Sequence, residues 1–285
     1  MRLLRLHRNQ QPLSKLGDVI FVSIDFEVSE SERVASGGDK VYKPHIKELG
    51  IATLDSRHIF TPQDRPSQRK PGIVTRQYST GNASKDLEVC DVTNFQKCIF
   101  AETIRIQQKS IIPTVKRCLQ VQDTTPDGIT DGTLRSIVLV GHTIKSALKI
   151  LERRGLDIIS LHIIAIIDTH SLSHQILHES PRPSHYTLSG VLARLGCPHN
   201  SQDMHNAGND ATYTLYAMLL LAVKWSEQQG LTTQESKNRD LIRSFVHREI
   251  NEAPRWGSAR RALGAHATAE GYLGIPSDTS LIFAA

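Results

Sequence analysis

The chain is 285 residues long, with 39% hydrophobic and 22% charged residues. That composition excludes a wholly disordered or fibrous chain and leaves room for one full α/β domain plus extensions. A formal net charge of +5 mildly favours a polyanionic partner and says nothing about fold.

The first sixteen residues, Met-Arg-Leu-Leu-Arg-Leu-His-Arg onward, are basic and contain no acid. They read as a disordered basic arm over 1–16, with mitochondrial import as the alternative for a stretch that is short and poor in serine. Asp18 to Val28 is β-branched, apolar and ends in acids, which predicts a central strand. Ser29 to Pro44, rich in Ser, Gly and Lys, reads as a loop. Strands are predicted over 48–54 and 73–78, separated by a Pro-, Gln- and Arg-rich connection, with a turn at Gly81 to Ser84.

Gln107 to Gln120 has helical spacing, with Pro113 in an early turn. Gln122 to Gly132 is a polar linker. Ile137 to Val140 is a short buried strand running into Gly141-His142. Ile144 to Arg154 is an amphipathic helix with Ile144, Leu148 and Leu151 on one stripe. A strand over 163–167 ends at Asp168-Thr169, and helices follow over 171–178, 186–195 and 207–228. Strands alternating with helices from 137 onward indicate parallel units, whereas those before 80 read as antiparallel, so the sheet is mixed. Beyond 229 the pattern fades, and 229–285 reads as a C-terminal extension outside the core, partly disordered, with one helix near 238–250.

The longest apolar run, Ala217 to Val223, is too short to span a bilayer, so no membrane association is expected. Four cysteines without C-x-x-C spacing fit reduced thiols in an intracellular protein, nuclear or cytoplasmic.

Two constellations carry chemistry. Asp25 and Glu27 lie two apart on the first strand and therefore project to the same side. Adjacent carboxylates repel, and a divalent cation relieves that cost. His205 and Asp210 lie five apart, with the histidine on a loop and the aspartate in the first turns of the last long helix. An imidazole there can take a proton from a metal-bound water. His170, His174 and His178 recur every four residues and read as an exposed polar helix face.

Taken in order, Ile24-Asp25-Phe26-Glu27, Leu139-Val140-Gly141-His142, Ile167-Asp168-Thr169 and His205-Asn206-Ala207-Gly208-Asn209-Asp210-Ala211 resemble the DEDDh 3′–5′ exonucleases of the RNase H-like superfamily, and among them the fungal members most closely. The resemblance covers about 17–228 and implies an RNase H-like mixed β-sheet flanked by helices. It implies two-metal phosphodiester hydrolysis at the 3′ ends of single-stranded RNA or DNA. Asp25, Glu27 and Asp210 would hold Mg²⁺ or Mn²⁺, and His205 would be the general base. Phe26 and His142 would contact the substrate.

One position departs from the pattern. The family carries a fourth acid five residues beyond the histidine of the second motif, and this chain has Ala147 there, between Lys145 and Lys149. Two readings therefore stay open. One is an exonuclease working with three carboxylates. The other is a catalytically impaired RNase H-like scaffold that binds nucleic acid or a protein partner.

Overall fold

In the computed structural model the described residues are 18–36, 39–60, 72–80, 97–123, 134–178, 186–228 and 233–252. Strand β1 (Val19–Ser36) lies in the interior of the sheet because its first half has no polar face. Val19 and Phe21 join one apolar cluster and Ile20, Val22 and Ile24 another. A strand apolar on both sides is stable only when both faces of the sheet are covered.

Strand β2 (Asp39–Asp55) pairs antiparallel with β1, and β3 (Ile73–Ser79) antiparallel with β2. On the other flank β5 (Ser136–Gly141) and β6 (Ile163–Asp168) add in parallel, and a short β4 (Thr103–Arg105) closes the far edge. The six strands run in the order β4-β3-β2-β1-β5-β6, a mixed sheet of the expected kind. The loop expected over 29–44 is instead a hairpin. The β1–β2 ladder continues through Glu32↔Lys43 and Val34↔Val41 to Ser36↔Asp39. The two arms pair with each other through backbone groups, which requires no apolar pattern in the sequence.

Helices cover both faces. Over the first lie α6 (Ala207–Gln228), α4 (Thr169–Ile176) and α5 (Leu188–Arg194), which bury Leu215, Tyr216, Leu219, Ile176 and Leu192. Over the second lie α2 (Ile111–Cys118) and α3 (Ile144–Arg153), through Ile111, Val115, Ile144, Leu148 and Leu151. A four-residue helix, α1 (Arg57–Phe60), follows β2.

The helix anticipated near 238–250 is α7 (Thr233–Glu252), and it packs on the domain rather than lying outside it. Its Phe245 and Val246 are 1% exposed and join the first cluster. Glu249 Oε2 accepts the Ile73 amide at 3.0 Å, and Gly72 leaves the space that Phe245 fills. The basic arm 1–16, the turn at 81–84, Cys90 and the chain from 253 onward lie outside the described residues.

Candidate active site

Side-chain parity carries the acids to one face. Asp25 and Glu27 continue the odd-numbered series Val19, Phe21, Ser23 on β1, so they point toward α6. The parallel pairing of β1 with β5 ends at Ser23↔Val140, so both acids sit just beyond the carboxyl end of the parallel strands. Ligands gather there in open α/β sheets. Across the ladder, Glu27 faces Glu48 and Asp25 faces Gly50. A register shift follows at once, with Val28 paired to Ile46 and Lys47 skipped. The bulge lets Ile46 join the second apolar cluster while Glu48 turns to the acidic face.

The start of α6 docks onto this face at Gly50. A Cβ at Gly50 would lie 1.8 Å from the Ala207 carbonyl oxygen and 2.4 Å from the Gly208 nitrogen. One at Gly208 would lie 2.7 Å from Gln77 Oε1. Gly50 is required for close approach of two backbones, and Gly208 for close approach to the Gln77 and Cys98 side chains. Asn206 caps the helix, its Oδ1 accepting the Asn209 amide at 3.1 Å. Asn209, fully buried, accepts the Ile99 amide at 2.9 Å and donates to the Lys97 and Asp203 carbonyls. His205 just ahead of the helix has φ +62°. Its amide donates to Asp210 Oδ2 at 3.0 Å.

Ligand atoms of Glu27, His205 and Asp210 lie within 4.8 Å of one another. Asp210 Oδ1 is shielded from solvent and has no hydrogen-bond partner. Burial, reinforced by Asp25 and Glu27, pushes the Asp210 carboxyl up to about 8. Burial, then Glu27, pushes Asp25 up to about 7. Glu27 is also raised by burial, with His205 opposing the rise. Such a set is costly as bare charge and suits a hard divalent cation, which supplies the missing partner for Asp210 Oδ1 and offsets the mutual repulsion. The donor set therefore fits a divalent cation.

The other anticipated residues fall elsewhere. Phe26 points to the opposite face and packs against the second apolar cluster. His142 belongs to a separate group. Its Nε2 hydrogen-bonds the Tyr186 carbonyl at 2.9 Å and its Nδ1 meets Thr169 Oγ1 at 3.0 Å, so neither ring nitrogen is left for a ligand. Burial lowers its pKa to about 4. Asp168 is a local cap, accepting the Thr143 and His170 amides. His170 and His174 make ring contacts with each other, but α4 ends at Ile176, so His178 is not on the same helix.

Ala147 is partly buried on α3 and packs against the second cluster. The fourth carboxylate felt by Asp25, Glu27 and Asp210 is Glu48, from β2 rather than α3. Sequence reading passed over Glu48 as the first residue of a strand. The only signal was its place two before Gly50, on the glycine's face.

The family model for the DNA polymerase III subunit epsilon-like C-terminal domain (DEDDh_C) matches residues 20–221. The chain belongs to this family. The matched span runs from β1 into α6 and takes in the mixed sheet and the helices on its two faces.

Among solved structures the chain is similar to one described as 3′-end specific recognition of histone mRNA stem-loop by 3′-exonuclease. That match has 13% identity and a TM-score of 0.40, covering 73% of this chain and 65% of that one, just under two thirds of its length. A full-length 3′-exonuclease matches at 12% identity and a TM-score of 0.39, covering 84% of each chain. The nuclease domain of 3′hExo, a DEDDh family member bound to rAMP, matches at 14% identity and a TM-score of 0.41. There 75% of this chain and 94% of that one are covered. No curated protein matches.

Proposed function

We propose that this DEDDh-family protein is a metal-dependent 3′–5′ exonuclease-type phosphodiesterase acting at the 3′ ends of single-stranded RNA or DNA. The observation that carries the reading is the convergence of Glu27, His205 and Asp210 within 4.8 Å around an unpartnered, buried Asp210 oxygen. Asp25, Glu27 and Asp210 would hold Mg²⁺ or Mn²⁺. When bound, the cation supplies Lewis-acid stabilisation of the charge that develops at phosphorus and on the leaving oxygen. His205, exposed on its loop beside Glu27 and Asp210, takes the proton from the attacking water. Asp25, half-buried on the same strand, would add a further carboxylate to this face. Phe26, packed through its ring on the other face, fixes the strand that carries both acids. The ring nitrogens of His142 are spent on Thr169 and Tyr186, so its role is to tie β5 to the start of α4.

A second reading rests on Ala147. Three ligands carry less negative charge than two divalent cations call for, so occupancy of a second cation site is lowered. The protein would then be a catalytically impaired scaffold that binds nucleic acid or a protein partner.

The test is Mn²⁺-dependent shortening of end-labelled single-stranded RNA and DNA, with Asp25→Ala as control. Turnover that Asp25→Ala abolishes supports the enzyme. Binding of the labelled strand without Mn²⁺ and without turnover supports the scaffold. Activity that arises only in Ala147→Asp identifies position 147 as the lesion.

A further inference from the structure

Among the described residues of the sheet, Glu48 is a buried acid that no part of the mechanism above uses, and its surroundings are specific. It is 6% exposed, and its Oε2 accepts three hydrogen bonds. The donors are Gln77 Nε2 at 2.8 Å, Asn206 Nδ2 at 3.1 Å and the Ala207 amide at 3.2 Å. They come from β3 and from the cap and first residue of α6. The acceptor comes from β2, at the bulge, directly across from Glu27.

We propose that Glu48 is a positioning residue for the metal-binding face, locking the His205–Asp210 segment against Asp25 and Glu27. Resting on the metal reading above, the inference adds what holds the two halves of the site in register. The geometry supports it in three ways. The Ala207 amide is one of the free donors at the start of α6, and it finds its acceptor on the sheet rather than in its own helix. Asn206 is held at both ends, its Oδ1 by the Asn209 amide and its Nδ2 by Glu48, so the cap cannot rotate away. Gly50, two residues on, admits the Ala207 carbonyl to the same spot, so Glu48 pins the helix where the glycine makes room. Asp210 and His205 flank this anchor in the sequence, and any slip of residues 206–207 moves both. Charge-assisted acceptors are the strong form of such a tether.

The test compares full-length wild type with Glu48→Gln and Glu48→Ala, working well below the melting temperature of each. Glutamine keeps an acceptor oxygen for the three donors, and alanine removes it. Two readouts are used. Amide hydrogen exchange across 203–212 reports the tether without metal, and Mn²⁺ affinity by electron paramagnetic resonance reports its consequence. The expected result for Glu48→Ala is exchange at 205–207 at least tenfold faster, unchanged exchange at 215–221, and Mn²⁺ affinity at least tenfold weaker. Glu48→Gln should stay within about threefold of wild type on both. Unchanged exchange at 205–207 in Glu48→Ala overturns the proposal. Faster exchange with wild-type Mn²⁺ affinity also overturns it, leaving Glu48 a stabilising contact only. Wild type that binds no Mn²⁺ refutes the metal reading instead, and the exchange comparison still decides the tether.

Discussion

Gly50→Ala isolates the contact on which the site geometry depends. The added Cβ would fall 1.8 Å from the Ala207 oxygen and 2.0 Å from its carbon, and contacts under 3.0 Å do not occur. The obstacle is backbone on both sides, so no rotamer change relieves it. Opening the gap from 1.8 to 3.0 Å requires the start of α6 to leave β2 by about 1.2 Å. Two consequences follow. Overpacking of this kind costs about 1–3 kcal/mol, and at roughly 2–4 °C per kcal/mol for a chain of this size the melting temperature should fall by about 2–12 °C. The displacement also carries Asp210 and His205 away from Asp25 and Glu27, and a misplacement of about 1 Å in a reacting geometry can cost on the order of a hundredfold in rate.

Thermal unfolding with and without Mn²⁺, and Mn²⁺ titration of the folded variant, measure the two effects separately. Gly208→Ala is the control, because its Cβ would meet side-chain atoms rather than backbone, Gln77 Oε1 at 2.7 Å and Cys98 Sγ at 2.8 Å. It should lose less on both measures. A Gly50→Ala protein with wild-type melting temperature and Mn²⁺ affinity would refute the claim that backbone contact at Gly50 sets the site.

Metal-free stability should depend on pH in a definite direction. Burial raises Asp25 to about 7 and Asp210 to about 8 from an ordinary 3.8, so the folded state holds more protons than the unfolded chain between about pH 4 and 8. Their contribution is complete at the acid end and is lost as pH rises through that window. Melting temperature in chelator should therefore fall from pH 6 to pH 8, Mn²⁺ should restore it most at pH 8, and Asp210→Asn should flatten the chelator profile. A flat wild-type profile would contradict the buried-acid account. His142 gives the opposite sign. Held near 4 in the fold against 6.5 outside it, its contribution is lost as pH falls below about 6. His142→Ala should cost about 1–3 kcal/mol by removing the ring that bonds Thr169 Oγ1 and the Tyr186 carbonyl, with Mn²⁺ affinity unchanged. A loss of Mn²⁺ affinity equal to that of Asp25→Ala would return His142 to the site.

The mixed sheet and the pairing of Asp25 with Glu27 were legible because alternation along β1 is strict and both flanking faces are apolar. The start of α6 was legible because His205-Asn206-Ala207-Gly208-Asn209-Asp210 contains a cap residue before a long apolar helix. Three features were not. Glu48 reads as a solvated strand end, since a bulge at Lys47 leaves no mark in a short sequence window. The hairpin through Ser36 and Asp39 lacks an apolar stripe because its arms pair with each other. The docking of α7, though not the helix itself, escaped because it reaches the core mainly through Phe245 and Val246. The parity rule placed Asp25 and Glu27 correctly, and the same rule sends the residue between them, Phe26, to the far face.

The same string of residues bears unequally on the two functional readings. Asn206 caps a helix and braces Glu48, Gly208 lets α6 approach β3, and Asn209 stitches 97–99 to the turn before the helix. Each has structural work that a scaffold without chemistry would still need, so their presence does not separate enzyme from relative. The carboxylates bear on the metal reading. Asp25 has one backbone amide, that of Phe26, on the lowering side of its pKa, against burial, Glu27 and Glu48 on the raising side. Asp210 has one oxygen on the His205 amide and one on nothing. A fold that needed only shape would be more stable with asparagine or alanine at these places, because burying like charges without partners is a net cost. Under the proposed reading, a cation held by Asp25, Glu27 and Asp210 would offset that cost.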